Sequence, residues 1–221
     1  MIRTVKIIIL IAVFFSLSGC GKKSSNEVAL EPENTPITSD TRPILVAFGD
    51  SLTKGSGVDP AQNYPAKLQA RIDAAGYSYR VVNAGVAGDI SSQGLSRTAS
   101  VAALNPTIVI VEFGANDGLR GVPVETVRQN LEGIIVRLQS SGAKIVLAGM
   151  EVPPNYGPQY TSAFRDIFPT LSKELQVPLI PFFLAGVGGH PELNQEDGIH
   201  PTAEGYDIIV ENVWKVLEPL L

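Results

Sequence analysis

The residue types in this sequence that could perform acyl transfer are a serine and a distant Asp/His pair. Ser51 follows an apolar run, in the segment FGDSLTKGSG, and the chain has only two histidines, His190 and His200. A serine hydroxyl is a weak nucleophile until a base takes its proton, and histidine is the usual base because it titrates near neutral pH. Asp197 stands three residues before His200. Its carboxylate can therefore accept the Nδ1–H of the imidazole and leave Nε2 to face Ser51.

Acyl transfer also needs hydrogen-bond donors for the oxyanion that develops on the attacked carbonyl. The candidates are the backbone N–H groups of Ser51 and Gly88 and the side-chain amide of Asn116. A glycine at this point would let the backbone approach a substrate closely, and an asparagine supplies a neutral donor. Taken singly, each residue has a plainer interpretation as a turn or capping residue. Their occurrence together favours chemistry.

Five short apolar runs predict the strands that must position these residues. They are ILVAF (44–48), YRVVNA (79–84), TIVIVEF (107–113), KIVLAGM (144–150) and VPLIPF (177–182). Nearly continuous apolar runs that alternate with helical patterns are typical of a parallel sheet with helices on both faces. The spacing predicts helices in 64–76, closed by Gly76, in 124–142, in 162–176 with a kink or interruption at Pro169, and in 202–221.

The candidate residues all follow predicted strands. Ser51 follows the first strand, Gly88 the second and Asn116 the third, and the DGIH segment with Asp197 and His200 lies between the fifth strand and the last helix. Because the carboxyl ends of parallel strands share one edge of a sheet, we expect all of them at that edge. Pro201 would be the first residue of the last helix. The other histidine, His190, is interpreted as a loop residue near the rim.

The N-terminal segment MIRTVKIIILIAVFFSLSGC predicts export. It has a charged start, an apolar run and small residues at its end, so residues 1–20 are interpreted as a signal peptide, with an uncleaved anchor as the alternative. LSGC resembles the lipobox of bacterial lipoproteins, in which the cysteine, here Cys20, is diacylated. Residues 21–41 read as a flexible tether, and 42–221 as one domain. We therefore expect a cell-envelope protein, lipid-anchored in a membrane and facing the periplasm or the exterior.

Charge and cysteine content exclude several classes of protein. The formal net charge of −5 provides no basic surface for nucleic acid. Cys20 is the only cysteine, so neither an intramolecular disulfide nor a cysteine-based metal cluster can form. A phosphate or metal site built from Asp50, Asp89 and Asp117 is an alternative, although no lysine lies in a matching loop. Asp50 and Glu112 are otherwise interpreted as buried carboxylates that tie loops together.

Four segments of the chain resemble the blocks of the SGNH hydrolases, also called the GDSL family. They are GDSL (49–52), NAGVAGDIS (83–91), GANDG (114–118) and DGIH (197–200), and the resemblance covers about 43–221. It implies a flavodoxin-like three-layer αβα sandwich with a five-stranded parallel sheet in the order 2-1-3-4-5, and no metal or organic cofactor. It also implies roles for particular residues: Ser51 as nucleophile, His200 as base, Asp197 as its orienting partner, and Gly88 and Asn116 as oxyanion donors.

The segments GANDGLRG and PPNYG are similar to the bacterial thioesterase, arylesterase and lysophospholipase branch of that family. The expected activity is therefore hydrolysis of acyl esters, and the tether makes lipid-derived esters plausible substrates. We expect Leu119, Val122, Pro153 and Tyr156 to line an acyl groove. Two alternatives stay open: a carbohydrate O-acetylesterase of the same superfamily, and a non-catalytic surface lipoprotein that binds a ligand.

Overall fold

The five apolar runs form the five strands of one parallel sheet. The computed structural model describes residues 40–221. The strands are β1 (Ile44–Gly49), β2 (Arg80–Asn83), β3 (Ile108–Glu112), β4 (Lys144–Ala148) and β5 (Leu179–Ile180). Their order across the sheet is β2-β1-β3-β4-β5, and every neighbouring pair is parallel. The predicted α/β fold and its strand order are therefore confirmed.

Helices cover both faces of this sheet. They are α1 (Ser51–Lys54), α2 (Tyr64–Ala74), α3 (Ser91–Ala102), α4 (Ala115–Leu119), α5 (Val124–Ser140), α6 (Pro158–Leu175) and α7 (Ala203–Leu217). The connection through α2, from β1 to β2, crosses the sheet in one direction, and the connections through α3, α5 and α6 cross it in the other. Because such crossovers are right-handed, α2 lies on the opposite face to α3, α5 and α6. Accordingly, α2 packs against α7, whereas α3 packs against α5 and α5 against α6. Strand β3 is buried along its whole length, which explains its continuous apolar sequence.

Helix α6 differs from its prediction in its continuity. It runs without interruption from Pro158 to Leu175, although Pro169 lies inside it. A proline removes one intrahelical hydrogen bond, and the carbonyl that loses its donor is that of Arg165. Both Pro169 and Arg165 are exposed, so water can replace the missing donor. The cost of the proline is thereby reduced, and the expected interruption is wrong.

Helix α3 was not predicted, because its buried face carries small residues instead of large apolar ones. The buried positions are Ser91, Gly94, Thr98 and Val101. A Cβ on Gly94 would lie 2.7 Å from the ring of Phe113, so the helix approaches the end of β3 closely only because this residue is glycine. Hydrophobic periodicity, the main sequence signal for a helix, is absent from such a face.

The predicted signal peptide (1–20) and residues 21–39 of the predicted tether lie outside the described residues, and both stay predictions. The described part starts at Asp40, whose carboxylate accepts hydrogen bonds from the guanidinium of Arg42. Strand β1 then begins at Ile44, so the chain enters at the sheet edge opposite to the carboxyl ends of the strands. Within residues 40–221, no helix combines the length and the apolar character needed to cross a membrane.

Candidate active site

Ser51 is the first residue of helix α1, directly above the end of β1. Asp50 caps this helix, because its carboxylate accepts a hydrogen bond of 2.9 Å from the backbone N–H of Leu52. The first N–H groups of any helix lack intrahelical acceptors. Within residues 40–221, no acceptor for the Ser51 N–H is found. The nucleophile candidate therefore also presents a free backbone donor.

Ser51, His200 and Asp197 form a continuous hydrogen-bonded chain. His200 Nε2 lies 2.9 Å from Ser51 Oγ, and His200 Nδ1 lies 2.6 Å from Asp197 Oδ2. The second oxygen of Asp197 accepts the backbone N–H groups of Ile199 and His200, each at 3.0 Å. The hydrogen bond from the His200 side chain, followed by these backbone bonds, lowers the pKa of Asp197 to about 2. The carboxylate therefore stays ionised opposite the imidazole at every pH at which the protein would work.

The segment that carries His200 is positioned by residues that the sequence did not single out. Pro201 is not the first residue of a helix: α7 begins at Ala203 with Thr202 as its cap, and Pro201 pairs with Asn194 in an isolated antiparallel bridge. Gln195 donates from its backbone to the His200 carbonyl at 2.7 Å, and from its side chain to the Ser56 carbonyl at 2.8 Å. Gln195 thus ties the histidine segment to the turn that follows Ser51.

Gly88 lies in a type II turn, and that geometry explains why a glycine is needed there. The Asp89 N–H donates to the Val86 carbonyl at 3.2 Å, and Gly88, the third residue of the turn, has φ of +83°. A type II turn requires positive φ at this position. Space does not require it, because among residues 40–221 the only heavy atom within 4 Å of an added Cβ, chain neighbours aside, is Arg120 Nη2, at 4.0 Å. The conformation, more than the close approach that we expected from the sequence, demands glycine.

One end of this turn, Asp89, is held by Arg97, a residue of α3 that sequence reasoning missed. Its guanidinium contacts the Asp89 carboxylate at 2.8 Å and donates to the carbonyls of Ala84 and Gly49 at 3.1 and 3.2 Å. Arg97 therefore joins the turn to the end of β1. The only available signal was an arginine near an aspartate in a segment without helical periodicity, and that pattern is not specific.

Asn116 reaches the same edge of the sheet, but its amide is already engaged. Nδ2 donates to Asp50 Oδ2 at 3.1 Å and to the Asp89 carbonyl at 3.0 Å. An amide nitrogen has two hydrogens, so both are used in this structure. Asn116 therefore has to exchange one of these hydrogen bonds before it can donate to an oxyanion, whereas the backbone N–H groups of Ser51 and Gly88 are free within residues 40–221.

An apolar groove leads away from Ser51 towards β4 and β5. The cavity has a volume of about 520 Å³, and its lining includes Leu119, Val152, Pro153 and Phe182. Leu119 and Pro153 thus lie where the sequence placed them. A second wall of the groove, which was not predicted, follows β5. It is formed by Phe182, Leu184, Gly188 and Gly189.

Two of the predicted groove residues, Val122 and Tyr156, do not line this cavity. The Tyr156 hydroxyl donates to the Leu119 carbonyl at 2.8 Å, and the Tyr160 hydroxyl donates to the Val122 carbonyl at 2.8 Å. Tyr156 therefore joins the segment before α6 to the end of α4, and Tyr160 joins the first turn of α6 to the loop after α4. Val122 and Tyr156 thus support one wall of the groove, whereas we expected them to line it. His190 is exposed beside Glu192 and also lies outside the cavity lining.

Comparison with known proteins decides the family. Residues 47–208 match the GDSL-like lipase/acylhydrolase family. The chain belongs to this family. The match includes Ser51, Gly88, Asn116, Asp197 and His200, and the predicted membership is confirmed together with the predicted class of enzyme, an acyl ester hydrolase.

Named relatives of this GDSL hydrolase are esterases. It is 43% identical over 178 residues to esterase TesA of Pseudomonas aeruginosa, with 80% of this chain and 89% of the relative covered. It is 38% identical over 178 residues to thioesterase 1/protease 1/lysophospholipase L1 of Escherichia coli, with 80% and 84% covered. The crystal structure of TesA matches with a TM-score of 0.78 at 42% identity, over 81% of this chain and 100% of that chain.

Two carboxyl groups of the GDSL hydrolase are fully buried behind Ser51. Asp50 and Glu112 are both 0% exposed. Asp50 accepts hydrogen bonds on both oxygens, from Leu52 and Asn116, whereas Glu112 Oε1 has no partner within residues 40–221. Burial raises the pKa of Asp50 to about 7, and burial together with the charge of Asp50 raises the pKa of Glu112 well above its ordinary value. The folded state therefore keeps a proton on Glu112 to a higher pH than the unfolded chain does.

The Glu112→Gln variant will be more stable than the wild type, and the difference in the free energy of unfolding will grow as the pH rises. The folded state keeps the proton of Glu112, whereas the unfolded chain loses it above its ordinary pKa of 4.5. The folded state then binds more protons, so wild-type stability falls with rising pH, and glutamine removes this loss. Urea denaturation of both proteins from about pH 4 to pH 8 measures the difference. Glu125→Gln, an exposed glutamate of α5, is the control. A difference that stays constant across this range would mean that folded Glu112 is ionised.

The alternative of a metal site at Asp50, Asp89 and Asp117 is wrong, whereas the phosphate site stays a prediction. Each carboxylate is used separately: Asp50 by Asn116, Asp89 by Arg97, and Asp117 by Ser91, whose hydroxyl and N–H donate at 2.6 and 2.8 Å. Within residues 40–221, no group of three or more acidic, histidine or cysteine side chains converges in a way that would hold a metal ion.

Proposed function

We propose that this hydrolase cleaves acyl esters in two steps through a Ser51 acyl-enzyme, with His200 as the general base and Asp197 as its orienting partner. The observation that carries the proposal is the unbroken contact from Asp197 Oδ2 through the His200 ring to Ser51 Oγ, at 2.6 and 2.9 Å. A base within hydrogen-bond reach of the nucleophile, itself oriented by a carboxylate, is the arrangement that activates a serine.

In the first step, His200 Nε2 takes the Ser51 proton as Oγ attacks the ester carbonyl. The imidazolium that forms is stabilised by the ionised Asp197 carboxylate, which does not take the proton itself. The tetrahedral intermediate then collapses, and His200 protonates the leaving alcohol or thiol. In the second step His200 activates a water molecule, which attacks the acyl-enzyme and releases the carboxylic acid and free Ser51.

The oxyanion of each intermediate is stabilised by the N–H groups of Ser51 and Gly88, with Asn116 as a third donor. The two backbone groups are ready in the resting structure, whereas Asn116 must leave either Asp50 or the Asp89 carbonyl. Donors that are already oriented cost no reorganisation at the moment of reaction. The backbone pair is therefore the preorganised part of this site.

We infer that the preferred acyl groups are aliphatic chains of medium or greater length. The groove beside Ser51 has a volume of about 520 Å³ and is lined largely by apolar side chains, among them Leu119, Val152 and Phe182. Burial of each methylene contributes roughly 0.8 kcal/mol, and an acetyl group would leave most of this surface without contact. The relatives named thioesterase and lysophospholipase support substrates with an aliphatic acyl chain.

A series of p-nitrophenyl esters from acetyl to palmitoyl tests this specificity. Hydrolysis by the protein without residues 1–20 is expected to peak at medium or long chains, with an increase in kcat/KM of up to about fourfold per added methylene until the groove is filled. Ser51→Ala, measured in parallel, identifies any activity that does not depend on the site. Activity confined to acetyl esters would contradict the proposal and favour a carbohydrate O-acetylesterase.

We further propose that the mature protein is a lipoprotein, diacylated at Cys20 and held at a membrane of the cell envelope. The lipobox-like LSGC and the polar segment 21–41 support this. The predicted tether of about 20 residues would span on the order of 25 Å and would keep the hydrolase near lipid-derived esters. Fractionation of cells that produce the full chain checks it: Cys20→Ser should move the protein out of the membrane fraction. An unchanged distribution would count against acylation.

A further inference from the structure

The hydrogen bonds of Asp197 do not explain why His200 lies against Ser51. Among residues 40–221, the Asp197 carboxylate contacts only the His200 ring and the backbone N–H groups of Ile199 and His200, all within one short segment. Asp197 and His200 therefore move together if this segment shifts. The segment precedes α7 and belongs to neither a helix nor a strand. Contacts with other parts of the domain must fix the distance of 2.9 Å between His200 Nε2 and Ser51 Oγ.

Tyr206, in the first turn of α7, joins the histidine side of the site to helix α1, which begins with Ser51. Its hydroxyl donates to the Leu52 carbonyl at 2.9 Å, across 154 positions of the chain, and both side chains are buried. No backbone N–H donates to this carbonyl among residues 40–221, since α1 ends before the residue that would do so in a longer helix. Tyr206 therefore links the residue after Ser51 to the helix that begins three residues after His200.

Gln195 makes a second link between the same two parts of the domain. Its side-chain Nε2 donates to the carbonyls of Ser56 and Pro201, at 2.8 and 2.9 Å, so both hydrogens of the amide are used. Its backbone N–H donates to the His200 carbonyl at 2.7 Å. Because Ser56 lies in the turn after α1 and Pro201 follows His200, Gln195 holds the histidine segment and attaches it to that turn.

We propose that Tyr206 and Gln195 are positioning residues that together keep His200 Nε2 within proton-transfer distance of Ser51 Oγ. This inference rests on the proposed function, because it assigns to the two residues the support of the base in that mechanism. Neither residue touches the reacting atoms. A single link would let the two parts of the domain rotate about it, whereas two links at different residues restrict both their distance and their relative orientation.

The separation of Ser51 and His200 affects the rate because proton transfer needs the base within hydrogen-bond reach, roughly 2.6–3.2 Å. A misplacement of about 1 Å can cost roughly 10²-fold in rate. A buried carbonyl without a donor is also costly, so α1 would shift towards a new partner if the Tyr206 hydroxyl were removed from the Leu52 carbonyl. Such a shift of α1 moves Ser51 relative to His200.

Steady-state kinetics of Tyr206→Phe and Gln195→Met on a p-nitrophenyl ester test this role. Phenylalanine removes only the hydroxyl, and methionine keeps the length of glutamine without its N–H donors. We expect kcat of each variant to fall about 10-fold, a part of the roughly 10²-fold that a misplacement of about 1 Å costs. KM should stay within about twofold, because neither residue lines the groove.

His200→Ala provides the readout that a purely structural role would not give. Once the base is absent, its position no longer affects the rate. Tyr206→Phe and Gln195→Met, each combined with His200→Ala, should therefore change the residual kcat by less than about twofold. A loss as large as the one measured with His200 present would mean that the two links maintain the fold in general, and the proposal would be wrong.

Ser172→Ala is the matched control. Ser172 Oγ also donates to a main-chain carbonyl, that of Val177 at 2.6 Å. Val177 precedes β5, so this contact lies at the edge of the sheet opposite to the site. The variant loses one hydroxyl from the same kind of hydrogen bond and should keep kcat within about twofold of the wild type.

The proposal is overturned if either folded variant, Tyr206→Phe or Gln195→Met, keeps kcat within about threefold of the wild type, or if Ser172→Ala loses as much as they do. If Tyr206→Phe does not fold, Gln195→Met alone decides. Ser51→Ala separates the two levels: an active Ser51→Ala protein refutes the proposed function, whereas an inactive one beside a fully active Gln195→Met refutes only this inference.

Discussion

Ser51→Ala will lower kcat for ester hydrolysis by at least about 10⁴-fold. Alanine removes the oxygen that forms the acyl-enzyme and leaves the groove, the free backbone donors and His200 in place. Because Ser51 is the first residue of α1 and Asp50 provides the cap, the helix keeps its start. Only background hydrolysis supported by the remaining donors should persist.

The triad members should act as a unit, and this distinguishes the mechanism from a general loss of structure. His200→Ala is expected to lose about as much activity as Ser51→Ala, and the double variant no more than either single one. Measurement of kcat with one p-nitrophenyl ester, together with thermal unfolding of each variant, provides the comparison. Ser96→Ala, an exposed serine of α3, is the control. Losses that multiply in the double variant would mean that the two residues act independently.

Gly88→Ala will reduce kcat by about 10²–10³ while the fold is kept. An alanine at φ of +83° is strained by about 1–2 kcal/mol, and the turn can relieve this strain by changing from type II to type I. The Gly88 N–H then no longer points to the oxyanion. Since the space around an added Cβ is open, a steric clash cannot be the reason for the loss. KM should change little, because the donor acts in the transition state.

A second glycine of the chain separates this catalytic effect from the conformational strain. Gly76, two residues after the end of α2, has φ of +81° and, among residues 40–221, no heavy atom within 4 Å of an added Cβ. Gly76→Ala should therefore cost about the same 1–2 kcal/mol of stability and leave kcat unchanged. Urea denaturation and ester hydrolysis of both variants provide the comparison. If Gly88→Ala retained wild-type kcat, the Gly88 N–H would not be an oxyanion donor.

Local sequence patterns predicted the sheet well because burial on both faces leaves a continuous apolar run. The runs around β1 and β3 each contain the whole strand or miss it by one residue. Helix α3 was missed for the opposite reason, since its close approach to Phe113 requires small residues such as Gly94. Pro169 was misjudged because it lies on the exposed face of α6, where water can bond the freed carbonyl of Arg165 and reduce the cost of the proline.

The sequence by itself determined which segments form the strands, the position of Ser51 directly after β1, and the pairing of Asp197 with His200. All of these depend on neighbours within a few positions. The tertiary structure alone decided which distant side chains hold them. Arg97 and Gln195 act through contacts between residues far apart in the chain.

The same division applies to the oxyanion donors. The sequence placed Gly88 and Asn116 at the right edge of the sheet, since each follows a strand. It did not determine that both hydrogens of the Asn116 amide are engaged or that the Gly88 turn is of type II. A hydrogen bond between separate elements is made or lost by differences of a few tenths of an ångström in the donor–acceptor distance. Only the packing of the whole domain sets that distance.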